Sequence, residues 1–263
     1  MTDPLLRGGR PWGHGGPADI LMRDGVIDRI EPGLDVLDAE TFDIAGRLVL
    51  PGLVDAHGHL DKTLYGGAWT PHSAQDNLAD RIANERRRRG ELSLPDVDFM
   101  TALLGRMVTA GTAHLRTHTD VDPEIGLRRV EAVREAAKRM DRRITVTQVA
   151  FPQNGLLTNP GTAELLEQAL SDGVAAVGGI DPTGIDGDPV RHRGGVPQAR
   201  CVGVCHVGAQ DPASPPAWAS TSTERPGVDR LPARAGWRDA RVRLPHLRDR
   251  RPDPAVRPVR RRT

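Results

Sequence analysis

Leu48-Val49-Leu50-Pro51-Gly52-Leu53-Val54-Asp55-Ala56-His57-Gly58-His59-Leu60-Asp61-Lys62 is the stretch whose reading decides the fold. An apolar run is broken by Pro51-Gly52, resumes at Leu53-Val54 and ends in two histidines one residue apart. In a β-strand the side chains at i and i+2 leave the same face, so His57 and His59 are expected side by side. Two imidazoles aimed at one point make half of a metal site, since a catalytic site of the zinc type needs about three protein ligands and an open position. Taken alone, the pair reads more readily as a polar strand end.

The residues before this stretch predict small β-structure. Ala18 to Met22 and Val26 to Ile30 flank Asp24-Gly25, a hairpin signal because both turn positions favour positive φ there. Further strands are expected over Thr41 to Ile44 and Arg47 to Leu50. After His59 the pattern changes to alternating helix and strand. Ser73 is the expected N-cap of a polar helix ending in the arginines 86–89, where cations favour a C-terminus, and that run reads as a solvated helix end. A second helix is expected from Ser93, with Pro95 in its first turn and Val97, Met100, Leu104 and Val108 at helical spacing, stopped by Gly111. Strands are then expected over Thr112 to Asp120, Ile144 to Phe151 and Val174 to Ile180. The helices between them are expected to run from Pro123 and over Thr162 to Ser171. This alternation predicts βαβ units and a parallel sheet.

The strand ends collect the polar residues that chemistry would use: His57 and His59, then His118 and Asp120, then Gln153 after Phe151-Pro152, then Asp181. With His-x-His-Leu-Asp, Arg116-Thr-His-Thr-Asp120 and Gln148-Val-Ala-Phe-Pro-Gln153 in this order, the chain resembles the amidohydrolase superfamily, in its cytosine deaminase-like branch, over about residues 5 to 190. The resemblance implies an α/β fold, a partial (β/α)8 TIM-like barrel of about four βα units behind a small N-terminal β-sandwich segment. It implies His57 and His59 as ligands of one divalent metal ion, Zn or Fe, and Gln153 as the amide that reads the polar edge of a pyrimidine or triazine-like ring. Strand four has no lysine to bridge a second metal. The implied reaction is hydrolytic deamination of cytosine or a related cyclic amine or amide through a metal-bound hydroxide. His118 and Asp120 are candidates for the shell around the ligands, or satisfy one another at a strand end. His114 reads as a hydrogen-bonded core histidine, and His14 and His72 as loop residues.

Near residue 190 the text changes. Between Arg191 and Thr263 there is no Ile, Phe, Tyr, Met, Lys or Asn, while Arg and Pro abound. Such a segment buries too little apolar surface to offset its ordering entropy and is expected to be disordered. The organisation expected is therefore 1–50 as the β segment, 51–190 as the first half of the barrel, and 191–263 as the tail. The later His and Asp strand ends of the family are missing, because His192, His206 and His246 follow no apolar strand. Arg-Pro-Ala-Gly-rich text is what a GC-rich gene gives in a wrong frame, so an out-of-frame tail is one expectation and a native disordered tail the other. Either way the chain alone is expected to be inactive.

Composition adds exclusions. A formal net charge of +1 gives no whole-chain case for nucleic acid. The tail arginines, among them Arg241, Arg243, Arg248 and Arg260 to Arg262, support an alternative in which a non-catalytic half-barrel remnant binds polyanions without specificity. Cys201, Cys205 and His206 lack the second pair that a zinc site requires. No apolar run spans a membrane and no secretory leader is legible, so the expected setting is cytoplasmic, with a small-molecule substrate and room for a homo-oligomer.

Overall fold

The hairpin at Asp24-Gly25 forms as the sequence predicts, with both residues at positive φ (50° and 76°) joining β2 (Ala18–Arg23) to β3 (Val26–Glu31). The computed structural model describes residues 3–71, 73–74, 77–197 and the backbone of 201–204. His72, Cys205, His206, His246 and the tail arginines, and with them the expected disorder of the tail, lie outside the described residues.

Residues up to Gly52 form one compact unit, and those from Leu53 another. In the first, β1 (Pro4–Pro11) pairs antiparallel with β2 and parallel with both β4 (Glu40–Asp43) and β5 (Leu48–Val49), giving one five-stranded sheet. β1 has no clear alternation in its sequence, Pro-Leu-Leu-Arg-Gly-Gly-Arg-Pro, yet it is the centre of the sheet. Adjacent Leu5 and Leu6 leave opposite faces, and each enters a separate apolar cluster.

The second unit is a parallel sheet in the order β10-β9-β8-β7-β6, formed by β6 (Leu53–Gly58), β7 (Thr112–Asp120), β8 (Thr145–Phe151), β9 (Ala176–Gly179) and β10 (Cys201–Val204). Helices alternate with these strands. α1 is Leu78–Arg88, α2 Val97–Thr109, α3 Arg128–Arg139, α4 Thr162–Ser171 and α5 Pro189–Gly195. Met100, Leu104 and Val108 of α2 lie one helical turn apart. They pack with Val133 and Ala136 of α3 and with Met140 against Leu115 of β7, while Leu166 and Ala169 of α4 meet Ala150 and Val177. The unit is thus a curled half-barrel with its helices on the outer face.

Helix starts differ from the sequence expectation. The chain enters α1 at Asn77, whose side chain caps the Asp80 amide at 2.8 Å, and Ser73 instead bonds Asn84. Asp96, not Ser93, caps α2, and Pro95 stays outside the helix. The Asp122 carboxylate takes the amides of Glu124 and Ile125, holding residues 122–126 in a turn that delays α3 to Arg128. In each case several polar residues compete for the cap, and tertiary position chooses among them. The helical Arg191 to Gly195 and strand β10 also run past the expected start of disorder at Arg191.

Candidate active site

Strand ends in the half-barrel bring the polar residues together on one rim. Gly58 lets β6 approach β7 closely, since a Cβ there would lie 3.0 Å from the Leu115 side chain. His59 follows the strand, and the Leu60 amide donates to Thr117 Oγ1 (2.9 Å), which pins the turn Leu60–Lys62 to β7.

His57 and His59 lie side by side as the i, i+2 spacing predicts, ring centroids 5.3 Å apart. His118 at the end of β7 joins them, stacked on His57 at 4.1 Å and 5.8 Å from His59. Burial, followed by the neighbouring Lys62 charge, lowers the His59 pKa to about 4. Burial and then His57 lower that of His118 to about 4 as well. Both rings are therefore neutral at pH 7, as a metal ligand must be. His118 Nδ1 is buried with no hydrogen-bond partner. Stacking on His57 does not suit it to share a metal with that ring, and among the described residues no group of three His, Cys, Asp or Glu is arranged to hold a metal. The donors present fit a divalent ion in kind but are too few in number.

Beside the histidines is a buried ionic cluster whose members the sequence reading mostly passed over. Arg129, 0% exposed on α3, donates to Asp61 Oδ2 (3.0 Å), Asp120 Oδ2 (3.0 Å) and Glu85 Oε1 (2.8 Å). Lys62 Nζ stands 2.9 Å from Asp120 Oδ1 and 3.5 Å from Glu85. The Asp61 carboxylate also accepts the Asp120 amide at 3.1 Å. Three carboxylates face two cations. Burial pushes the Asp120 carboxyl up to about 7 against the pull of Lys62, with Asp61 adding to the rise. Burial likewise opposes the Arg129 charge, but Asp120, Asp61 and Glu85 outweigh it and raise its pKa. His118 and Asp120 therefore do not satisfy one another. Asp120 serves the cations and His118 the imidazole stack.

Gln153 is tied into this cluster. Its Nε2 donates to Glu85 Oε2 (2.7 Å) and its Oε1 accepts from Lys62 Nζ, so charged partners of opposite sign fix which way the amide faces. A cavity of about 200 Å³ adjoins Gln153, lined also by Ile82, Arg86 and Asn154. The larger cavity, about 450 Å³, belongs to the N-terminal unit, with Arg7, Asp19 and Asp35 in its lining, and gathers no such chemistry.

Other expectations change. His114 is exposed rather than a core residue. The arginine run is only partly solvated, because Arg89 pairs with Asp122 (3.0 Å) and Arg86 with Glu124. His192, given no role by its surroundings in sequence, is fully buried, and its Nδ1 lies 2.5 Å from Asp186 Oδ2. One signal for the missed residues was available. Arg129 sits on the same helical stripe as Val133, Ala136 and Met140, and a buried arginine requires carboxylate partners.

No family model matches the chain. It is 31% identical over 171 residues to the N-isopropylammelide isopropyl amidohydrolase of Pseudomonas sp. (strain ADP), covering 62% of this chain and 42% of that protein. Among solved structures it is similar to N-isopropylammelide isopropylaminohydrolase from Burkholderia multivorans ATCC 17616, with a TM-score of 0.68, 38% identity, and coverage of 74% of this chain and 49% of that one. It is also similar to 5-methylcytosine deaminase from Klebsiella pneumoniae liganded with 5-fluorocytosine, with a TM-score of 0.55, 30% identity, and coverage of 67% and 43%. The chain spans 32% and 42% of the length of two curated relatives that it matches. These homologues and structural neighbours are amidohydrolase-superfamily proteins, and the matched part of this chain shares their fold.

Proposed function

We propose that the chain supplies the first half of a metal-dependent hydrolase that cleaves a C–N bond on an amino-substituted ring, cytosine or a related pyrimidine or triazine. The observation that carries this reading is the rim itself, where neutral His59 beside His57 at the end of β6, and a rigidly oriented Gln153 after β8, flank the end of β7 in an amidohydrolase-like half-barrel. His57 and His59 would hold one divalent ion, Zn or Fe, which when bound supplies Lewis-acid activation of water. Gln153 would orient the ring by its polar edge, with Lys62 and Glu85 keeping the amide from turning over. His118 and Asp120 would act from behind these groups, the first against His57 and the second through Lys62.

Among the described residues only these two imidazoles are placed to act as ligands, too few for a tight catalytic site, and on this reading the polypeptide alone is inactive. The purified chain, given Zn²⁺ or Fe²⁺, is expected to release neither ammonia from cytosine nor isopropylamine from N-isopropylammelide above background. Metal-dependent turnover of either would refute the claim of inactivity. Resequencing the encoding DNA across codons 185–200 and translating it in three frames tests the wider reading. A frame yielding apolar strands that end in His and Asp supports the hydrolase. If none does so and the chain binds heparin with steep salt dependence, the non-catalytic remnant with a polyanion-binding tail is the better account.

A further inference from the structure

Helix α1 is held differently from its neighbours. α2, α3 and α4 each bury apolar side chains in a core cluster, whereas no described residue of α1 is buried or joins one. Charges tie it to the half-barrel instead. Its C-cap Arg89 pairs with Asp122 (3.0 Å) and Arg86 with Glu124 (2.9 Å), both partners lying in the turn before α3. Glu85, one turn before Arg89, meets Arg129 (2.8 Å), Lys62 (3.5 Å) and Gln153 Nε2 (2.7 Å). The same helix gives Ile82, Ala83 and Arg86 to the cavity of about 200 Å³ whose lining includes Gln153, Asn154 and Ile185.

We propose that α1 is an ionically latched gate on this cavity. Docked, it closes the cavity and delivers Glu85 as the positioning residue for Gln153; released, it opens the cavity and frees the amide. The charges around Glu85 favour two such states. With the helix docked, the carboxylates of Asp61, Asp120 and Glu85 face the two cations Lys62 and Arg129. Without Glu85, two carboxylates face two cations. Arg129 keeps Asp61 and Asp120 at 3.0 Å and Lys62 keeps Asp120 at 2.9 Å, so the buried part of the cluster stays paired when the helix leaves. Release also takes no described α1 side chain out of an apolar cluster, and segments with few buried apolar contacts are the first to open. The outer pairs resist it weakly, because Arg86 and Glu124 are 42% and 51% exposed and exposed ion pairs contribute little. The role of Gln153 toward a ring rests on the hydrolase reading above, and the gate itself does not.

Hydrogen exchange of the full chain, read by mass spectrometry, tests the gate. Glu124→Gln weakens the latch from the half-barrel side and leaves α1 unaltered. Arg86→Gln combined with Arg89→Gln weakens it from the helix side, glutamine being close to arginine in helix propensity. The expected result is exchange about tenfold faster over residues 80–88 in both variants, with α2, α3 and α4 as protected as in the parent chain. In an Ala83→Cys background, maleimide labelling at position 83, mapped apart from Cys201 and Cys205, should accelerate in step. Unchanged exchange over 80–88 overturns the proposal, as does an equal rise in α2 and α3, which would make α1 an integral part of the fold. Faster exchange without faster labelling at position 83 overturns it too, since the helix would then fray without opening the cavity. None of these measurements uses turnover, so failure of the hydrolase reading in its own tests would leave the gate standing and remove only the ring from its purpose.

Discussion

Arg129→Met tests whether the ionic cluster holds the half-barrel together. Methionine fills much of the volume of the arginine stem, so the change removes charge and hydrogen bonds with little loss of packing. Three contacts disappear, at 3.0, 3.0 and 2.8 Å, and Asp61 and Asp120 remain 0% and 1% exposed with Lys62 as the one nearby cation. Removing one partner of a buried ion pair costs about 3–5 kcal/mol. Against a domain stability of about 5–15 kcal/mol the expected loss is large enough to read in urea unfolding followed by circular dichroism. The pH dependence supplies a second check. Asp120, already raised to about 7 by burial, loses the Arg129 charge that held it down and rises further, so the folded variant binds more protons than the unfolded chain between pH 7 and 5. Stability of the variant then rises as pH falls from 7 to 5 by more than that of the wild type, and its deficit narrows. A loss below about 1 kcal/mol, or a deficit equal at both pH values, would refute the reasoning.

Two further outcomes are expected. The His118 pKa is lowered from 6.5 to about 4, so the unfolded chain takes up a proton first as pH falls through that window. The His118 contribution to stability should fall by about 3 kcal/mol between pH 6.5 and 4, and His118→Phe should remove that part of the pH dependence. Asp186 accepts the amides of Leu156, Leu157 and Thr158 and pairs with His192. Burial works against its charge, but the His192 hydrogen bond and the amides outweigh burial and lower its pKa. Its stabilisation is thus present above the unfolded carboxyl value and lost as pH falls through the lower folded one. Asp186→Asn should cost about 2 kcal/mol and speed amide exchange at 156–158, and unchanged exchange there would show that Asp186 does not hold this loop.

Local signals placed most of the elements. The Asp24-Gly25 turn, the Thr162–Ser171 helix and the strand ending at Phe151 were legible because each is specified by a few neighbouring residues. The histidine pair was legible for the same reason, since a two-residue period in a strand fixes the common face of His57 and His59. Caps were less so, because Ser73, Asn77, Ser93 and Asp96 all offer a suitable oxygen and only packing selects between them.

What the sequence by itself determined was therefore the order of strands and helices, the polar residues at strand ends, and the change of composition near residue 190. Tertiary structure alone decided which charges meet. Asp61, Glu85, Asp120 and Arg129 are scattered over 69 positions, and no periodicity links them. Their ion pairs exist because the ends of two parallel strands, β6 and β7, and two helices, α1 and α3, bring the three carboxylates within 3.0 Å of Arg129. The same is true of His118 on His57 and of His192 on Asp186. Contacts between residues far apart in the chain, and the lack of them, are set by the closing of the sheet, which local sequence does not encode.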